Sequence, residues 1–346
     1  MRPFIALIAA VGLPALACDM MEYRRVRASE HVVVFEAAEG TTGVVNGNIV
    51  AILGDEATLV VDTGQFPSIA RRVVAELREM RAPPVRYVVN THWHGDHLLG
   101  NSVFRDAYPG VRFIAHSHTV EQATRYYSDY AARMAERLPA AVEDMKKRAA
   151  ASTSEDEKLW IRKTLECVER AIPEAREVVY VAPDTIVDDA RTLDLGGMAV
   201  EVRHLGTGNT PGDMVVWVPA DRLVASGDMV VAPVPYAIGS ALDPWIATLD
   251  ALQRFEARVL VPGHGPVMRD GTYLADVKAL IAGTRAQVAA LKARGVVQAD
   301  AAAQIDTGTF RSRYIDTPMR RQAFDEFYVK AVVRKAWAEA TPAAKN

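Results

Sequence analysis

The stretch VVNTHWHGDHLLGN at residues 88–101 constrains this chain more than any other. It begins with apolar β-branched residues typical of a buried strand, and it then offers His92, His94, Asp96 and His97 within six residues. Residues two apart in an extended segment point the same way, so the first two histidines can bind one ion. A turn at the intervening glycine lets the Asp and the third His reach a second ion. The fold therefore has to build a metal centre at the end of a strand.

The donor types limit which metal this centre holds. The cluster supplies imidazole and carboxylate groups, and the chain has only two cysteines, Cys18 and Cys167. A sulfur-ligated site is excluded by this count. Zn²⁺ suits the remaining donors best, and Fe and Mn also suit them. Cys167 lies in a helical pattern and Cys18 close to the start, so we expect no disulfide between them.

The periodicity of apolar residues predicts an α/β (α+β) fold with a mixed sheet, because strands and helices alternate in both halves. The predicted strands are 31–36, 44–53, 58–62, 85–89, 111–115, 191–195, 198–204, 214–218, 222–226 and 258–261, the first three being consecutive and antiparallel. The predicted helices are 67–81, 100–107, 244–256, 272–294 and 318–338. A charged, amphipathic helical insertion spans about 119–176, interrupted at Pro139 and the polar stretch that follows.

The first residues have the composition of a targeting segment. Residues 1–17 combine one Arg, a short apolar stretch and a small-x-small cleavage site, which predicts a secretory signal peptide. A buried N-terminal helix is the alternative. We therefore expect an exported protein, periplasmic or secreted, with a lipid anchor at Cys18 left open. The apolar stretch is too short to span a bilayer.

Charge argues against nucleic acid as a partner. The formal net charge is −3, and acidic and basic residues are mixed along the chain. No basic stripe of the kind that neutralises phosphates is present. A small-molecule substrate fits this surface better.

Three further motifs accompany HWHGDH in a familiar order. LVVDTG (59–64), LVASGDMV (223–230) and LVPGHGPV (260–267) each end a predicted strand in a glycine-containing turn. With these elements the sequence resembles the metallo-β-lactamase superfamily over residues 31–270. The resemblance implies a four-layer αβ/βα sandwich with its metals at one edge between the sheets. It divides the chain into residues 1–17, a hydrolase domain 18–270, and a helical extension 271–346 packed on that domain.

The resemblance also implies roles for individual residues. Asp228 corresponds to a metal-bridging carboxylate, and Asp62 to an acceptor that orients a ligand histidine, although Asp62 has the simpler alternative of capping a turn. The implied ligands of two ions are His92, His94, Asp96, His97, Asn209, Asp228 and His264.

Asn209 departs from the family pattern. The stretch GTGNTPGD at 206–213 carries Asn where the family usually has a His that completes the first metal site. Asn209 can bind through its side-chain oxygen, a weaker ligand than imidazole. Alternatively, the first site stays empty or fills only with substrate, or His204 replaces the missing ligand. We favour the first reading because every other ligand is retained.

The resemblance implies a nucleophilic hydroxide held between two ions. Asp96 would orient it and move its proton, and Tyr236 either donates to the oxyanion or is a packed loop aromatic. His116 and His118 follow a strand that ends near the site, which makes them candidates for the pocket wall. The helical insertion would form a lid or a homodimer surface.

Substrate choice rests on two departures from true β-lactamases. Those enzymes usually carry Cys or Ser where this chain has Asp228, and some use a Lys shortly afterwards, whereas residues 229–232 are MVVA. We therefore expect a small ester, thioester, lactone or amide as substrate. True β-lactam hydrolysis is one alternative, and a catalytically decayed metal-binding module is the other.

Overall fold

The computed structural model describes residues 21–340, which form twelve strands and twelve α-helices. The strands are β1 Tyr23–Arg27, β2 Val32–Ala37, β3 Ile49–Leu53, β4 Thr58–Val61, β5 Val85–Val89, β6 Arg112–Ala115, β7 Thr185–Ile186, β8 Ala190–Asp194, β9 Ala199–His204, β10 Met214–Val218, β11 Leu223–Ala225 and β12 Val259–Val261. The helices are α1 Pro67–Glu79, α2 Gly95–Leu98, α3 Asn101–Ala107, α4 Ser117–Tyr127, α5 Tyr130–Ala151, α6 Glu155–Glu177, α7 Leu242–Gln253, α8 Thr272–Ala293, α9 Gln298–Ala301, α10 Gly308–Tyr314, α11 Pro318–Phe324 and α12 Lys330–Glu339. A π-helix, Asp325–Val329, joins α11 to α12.

The strands form two sheets. The first has the order β1-β2-β3-β4-β5-β6-β7, antiparallel from β1 to β4 and parallel from β4 to β7. The second has the order β12-β11-β10-β9-β8 and is antiparallel except for the pair β11–β12. The parallel strands β4 and β5 in one sheet, and β11 and β12 in the other, precede the metal-ligand motifs. Ligands of α/β sheets commonly lie outside the carboxyl ends of such strands.

The two sheets and their helices form the predicted αβ/βα sandwich, and the alternation along β2 shows how. Val32 and Val34 face the core between the two sheets, whereas Val33 and Phe35 face the core under α1 and α3. Successive strand residues point to opposite faces, so an apolar strand buried on both sides serves two cores. A third core packs α7, α8, α11 and α12 on the outer face of the second sheet.

The region expected to be a helical insertion folds as α4, α5 and α6. Helix α5 continues through Pro139 and ends at Ala151, and the Ser154 hydroxyl then caps α6. The interruption expected at Pro139 is therefore wrong. None of the α5 side chains is buried, whereas α6 buries Trp160, Ile161 and Thr164 against the body of the protein.

Three expectations concern residues outside the described range. The signal peptide at 1–17, the anchor residue Cys18 and the last residues of the extension, 341–346, all lie there. Within the described range, Cys167 on α6 is buried and disulfide-bonded. The expectation that it forms no disulfide with Cys18 concerns a residue outside that range. None of the helices between residues 21 and 340 is long and apolar enough to cross a bilayer.

Candidate metal centre

The histidine motif occupies the segment between β5 and α3. His92 and His94 lie on the extended stretch before α2, and Asp96 and His97 lie in the first turn of that helix. His92 and His97 are fully buried, and Asp96 is 9% exposed. The sharp turn into α2 therefore separates the motif into two pairs that face different positions, as the spacing predicts.

The second pair completes a compact donor group with residues from the other sheet. His97 Nε2 lies 3.3 Å from Asp96 Oδ2 and 3.2 Å from His264 Nε2. His264 Nε2 lies 3.0 Å from Asp96 Oδ2. Asp228 Oδ1 lies 3.2 Å from His97 Nε2 and 3.4 Å from His264 Nε2. Donor atoms about 2.1 Å from a tetrahedral zinc ion lie roughly 3.4 Å apart, so this group has the dimensions of a zinc site.

The first pair shares Asp228 with that group. His92 Nε2 lies 3.0 Å from His94 Nδ1 and 3.6 Å from Asp228 Oδ2. The two oxygens of the Asp228 carboxylate thus face different donor groups. This is the geometry of a carboxylate that could bridge two ions.

A buried carboxylate orients His97. Asp62 follows β4 in the left-handed backbone region, at φ 59°, a conformation that Asp tolerates better than most residues. Its Oδ2 lies 2.8 Å from His97 Nδ1, and it also accepts hydrogen bonds from the backbone and hydroxyl of Thr91. The contact leaves His97 Nε2 free to face the donor group, as expected for a residue that orients a metal ligand.

Glycines allow the loops to approach each other at the centre. A Cβ on Gly263 would lie 2.0 Å from Asp228 Oδ1, and one on Gly227 would lie 2.6 Å from the Thr91 side chain. Asn48 holds the same region, because its side chain donates to the carbonyls of Pro262 and Gly265. The two sheets are therefore joined rigidly at the centre itself.

Asn209 lies in the buried loop between β9 and β10. Both polar atoms of its side-chain amide are buried without a hydrogen-bond partner among the described residues. The loop is held by Asp213, which accepts hydrogen bonds from the backbone N–H groups of Asn209 and Thr210 at 2.6 and 2.9 Å. Its side-chain oxygen lies against Gly239, 2.8 Å from where a Cβ would be, and Asn209 is not among the residues that line the cavity at the donor groups. Buried amide groups are rarely left unpaired, so we expect this amide to have a further partner.

The pKa shifts of the donor carboxylates and imidazoles indicate that this buried site requires positive charge. Burial raises the pKa of Asp228, but the imidazoles of His97 and His264 outweigh it and hold that pKa well below its usual range. Burial lowers the pKa of His97, but carboxylates, led by Asp228, raise it well above its usual value. Protonated imidazoles must therefore neutralise the buried carboxylates when no other cation does. Divalent ions would supply that charge, so the donor set fits metal.

The donor groups open into a cavity of about 380 Å³. Its walls include His94, Asp96 and His264, and the side chain of Tyr236. The Tyr236 ring lies 6.0 Å from the His94 ring. Burial, with the nearby Asp96 and Asp228 charges, raises the pKa of Tyr236, so its hydroxyl keeps its proton at neutral pH.

The family model for the metallo-beta-lactamase superfamily matches residues 42–264, nearly two thirds of the chain. The chain belongs to the metallo-β-lactamase superfamily. The match begins in the β2–β3 loop and ends at His264.

Curated relatives from this superfamily match over part of their length. The linear primary-alkylsulfatase of Pseudomonas sp. (strain ATCC 19151) is 27% identical over 225 residues, which is 61% of this chain and 40% of the relative. The metallo-beta-lactamase type 2 of Bacteroides fragilis is 33% identical over 97 residues, 26% of this chain and 39% of the relative. This chain thus spans about two fifths of the length of these relatives.

Solved structures confirm the fold. The stereoselective inverting sec-alkylsulfatase of Pseudomonas sp. superposes with a TM-score of 0.63 at 18% identity, covering 92% of this chain and 50% of that one. The metallo-beta-lactamase from Pontibacter korlensis gives a TM-score of 0.52 at 20% identity, covering 75% and 99%. A quarter of this chain therefore lies outside that lactamase.

The structure places three further histidines, His116, His118 and His204, away from the donor groups. His116 and His118, expected as wall candidates, do not line its cavity. His116 instead caps α4 by accepting a hydrogen bond from the His118 backbone, and its ring lies 4.5 Å from that of His204. His204 in turn lies 2.9 Å, through Nδ1, from the backbone oxygen of Asp213, and so it does not replace the missing ligand.

A larger cavity, of about 640 Å³, lies on the other side of the His264 loop. The charged groups at its walls are already paired, Arg24 with Glu36 and Arg320 with Glu39. It contains none of the histidines. The smaller cavity, at the donor groups, is therefore the candidate active site.

Sequence reasoning gave no indication that the C-terminal extension reaches that cavity. Phe327, on the π-helix of the C-terminal extension, lines it beside Tyr236. No local spacing relates Phe327 to the metal motifs, and it lies beyond the region matched by the family model. Only the packing of the extension brings it there.

Proposed function

We propose that this chain is a dinuclear metal hydrolase, with zinc as its metal, that acts on small neutral esters, thioesters, lactones or amides. The observation that carries the proposal is the pair of donor groups that share Asp228. His92 and His94 supply one group, and Asp96, His97 and His264 supply the other. Asn209 is the candidate third protein ligand on the first side.

Two divalent ions, when bound, supply Lewis acidity that lowers the pKa of water to about 7 and stabilises negative charge on the reacting oxygen. The protein contributes proton handling. Burial raises the pKa of Asp96, but His97 and His264 outweigh it and hold that pKa well below its usual range, so its carboxylate is ionised at neutral pH. Tyr236 lines the same cavity, and its protonated hydroxyl can donate to a developing oxyanion.

The cavity wall supports a neutral substrate. None of the described residues that line it is Lys or Arg, and Thr42, Val45, Val231 and Val234 provide much of the remaining surface. A sulfate or the carboxylate of a β-lactam would find no cationic side chain among them. A neutral acyl group needs only apolar contact and a hydrogen-bond donor.

A sulfate ester is the second candidate substrate. It is favoured by the alkylsulfatase relative, which matches over more of this chain than the Bacteroides fragilis lactamase does. Sulfate release from hexyl sulfate, measured beside ester hydrolysis, separates the two candidates.

We also propose that the protein is exported to an oxidising compartment. The signal-like residues 1–17 support this, and so does the disulfide bond at Cys167, since disulfides persist mainly outside the cytosol. A thiol that carries lipid cannot form a disulfide. Mass spectrometry of the mature N-terminal peptide, with and without reduction, therefore distinguishes a Cys18 that carries lipid from a Cys18 in a disulfide.

The decisive experiment measures metal content and turnover together. The protein is purified without chelator, and bound metal per chain is determined by elemental mass spectrometry for the wild type and for Asn209→His. Both are assayed with 4-nitrophenyl acetate, a thioester, a lactone, hexyl sulfate and nitrocefin.

Close to two ions in the wild type, with turnover of the neutral esters, is the expected result. One ion that rises to two in Asn209→His would mean that Asn209 is not a working ligand. Fast nitrocefin hydrolysis without ester turnover would identify a β-lactamase instead. Absence of both metal and turnover would support the decayed module and would sink the proposal.

A further inference from the structure

Aromatic side chains from four distant segments surround the metal cavity. Trp93 comes from the histidine motif, Tyr127 from α4, Tyr236 from the loop after β11, and Phe327 from the π-helix. The Trp93 ring lies 6.4 Å from that of Tyr127, and the Tyr236 ring lies 5.8 Å from that of Phe327. Such separations and tilted angles suit favourable aromatic contacts.

Phe327 contacts the cavity wall through its backbone as well as its ring. The π-helix interrupts the usual i→i−4 hydrogen-bond pattern of the C-terminal helices, as π-turns at functional sites often do. The carbonyl oxygen of Phe327 accepts a hydrogen bond of 2.9 Å from the backbone N–H of Ala237. Ala237 directly follows Tyr236, so the extension fixes the position of both aromatic rings.

The insertion helices hold the other side of Phe327. Its ring lies 6.2 Å from the buried ring of Trp160 on α6. The neighbouring Glu326 forms an ion pair with Arg148 at the end of α5. Phe327 is therefore held between two parts of the fold and does not project freely from a mobile tail.

Helix α6 also orders the opposite rim of the cavity. Trp160 Nε1 donates a hydrogen bond of 2.7 Å to the carbonyl of Thr41, and Thr164 Oγ1 accepts one of 3.2 Å from the N–H of Gly43. Thr42 and Gly43 both line the cavity. The aromatic wall is thus preorganised, a property that lowers the entropic cost of binding.

We propose that Phe327 is a specificity-determining residue, and that its ring and those of Trp93, Tyr127 and Tyr236 bind an aromatic or compact apolar group of the substrate. The inference rests on the proposed function, because it assigns the group next to the scissile bond. A cavity of about 380 Å³ is at the small end of ligand sites, which favours a ring over a long linear chain. The recognition residue comes from outside the region that defines the superfamily.

The test uses metal-chelating probes that differ only in their tails. Acetohydroxamic and benzohydroxamic acid carry the same chelating group, so the ratio of their dissociation constants reports the contact of the phenyl ring. The ratio is measured by isothermal titration calorimetry on the metal-loaded protein, together with metal content per chain. The variants are Phe327→Ala and the milder Phe327→Leu. The control is Phe255→Ala, a half-buried Phe that packs on Trp217 away from the cavity.

In the wild type and in Phe255→Ala, benzohydroxamate is expected to bind at least about tenfold more tightly than acetohydroxamate. Phe327→Ala should weaken benzohydroxamate about tenfold and acetohydroxamate less than twofold, at unchanged metal content, and Phe327→Leu should fall between. An unchanged ratio in both Phe327 variants, with metal bound, would overturn this inference alone. A wild type that holds no metal would overturn the proposed function and this inference with it.

Discussion

Gly263→Ala offers the sharpest test of the metal centre, because it adds a single methyl group at the point where two loops meet. A Cβ at this position would lie 2.0 Å from Asp228 Oδ1, 2.7 Å from the Gly227 carbonyl carbon and 2.8 Å from the Asp228 nitrogen. Contacts shorter than 3.0 Å are not tolerated, and two of these partners are backbone atoms that cannot rotate away. Gly263→Ala must therefore push the Asp228 loop and the His264 loop apart by about 1 Å.

The size of the effect follows from that displacement. A shift of about 1 Å in a reacting group costs about 10²-fold in rate, and loss of support around a metal ligand costs about 10- to 100-fold in metal affinity. Asp228 faces both donor groups, so both ions should bind more weakly. We expect zinc affinity, measured by competition with a chromogenic chelator, to fall 10- to 100-fold. Turnover at saturating zinc should fall about 10²-fold.

Gly283→Ala is the matched control. This glycine lies on the exposed face of α8, and an added Cβ would meet nothing within 4 Å. Alanine is favoured over glycine in a helix interior by about 1 kcal/mol, so this variant should be slightly more stable and keep wild-type zinc affinity. Wild-type zinc affinity in Gly263→Ala would refute the close approach of the two loops on which the bridging role of Asp228 depends.

Three other expectations follow from single contacts. Asp62→Asn removes the carboxylate that orients His97, so zinc affinity should fall about 10- to 100-fold by chelator competition while the circular dichroism spectrum stays unchanged. In the metal-free protein, burial lowers the pKa of His264, but Asp228 and Asp96 outweigh it and raise the pKa from 6.5 to about 9. The protonated His264 then stabilises the fold fully below pH 6.5, and this stability is lost as the pH rises through 9. The Tm of the metal-free protein should therefore fall across that window and that of the zinc form should not; a rise would contradict the assignment. Tyr236→Phe should lower kcat about 10²-fold at unchanged metal content if the hydroxyl donates to the oxyanion, whereas an unchanged kcat would identify a packed aromatic.

Most strands were predictable because their apolar residues are continuous and flanked by turns. Two strands were missed: β7, which has only two residues, and β1, whose sequence YRRVR carries three arginines. This strand lies at the edge of the first sheet, where charged side chains are expected and the alternation that identifies a buried strand is absent. The short helices between 298 and 314 were missed as well, since segments of four to seven residues are too short to show helical periodicity.

Metal-binding residues were predictable for a different reason. Each candidate ligand lies directly after a strand, in a motif only a few residues long, so chain-local spacing already carries the geometry. The wall of the cavity has no such local pattern. Phe327 reaches it only through a π-turn, and His116 misses it because its imidazole is used in capping α4. Spacing identifies donors, whereas packing decides which other side chains surround them.

The two donor groups are unequal, and the inequality is built into the chain. Asp96, His97, His264 and one oxygen of Asp228 surround one position, and their donor atoms lie 3.0–3.4 Å from one another. The other position has two imidazoles and the second oxygen of Asp228, and its third protein ligand would be the amide of Asn209. An amide oxygen is a weaker partner for zinc than imidazole, so an ion at the complete position should bind first and more tightly. Because Asp228 faces both positions, an ion held by Asp96, His97 and His264 would also fix the carboxylate that the second ion needs. Binding of an ion by His92 and His94 should therefore depend on an ion at the Asp96, His97 and His264 position.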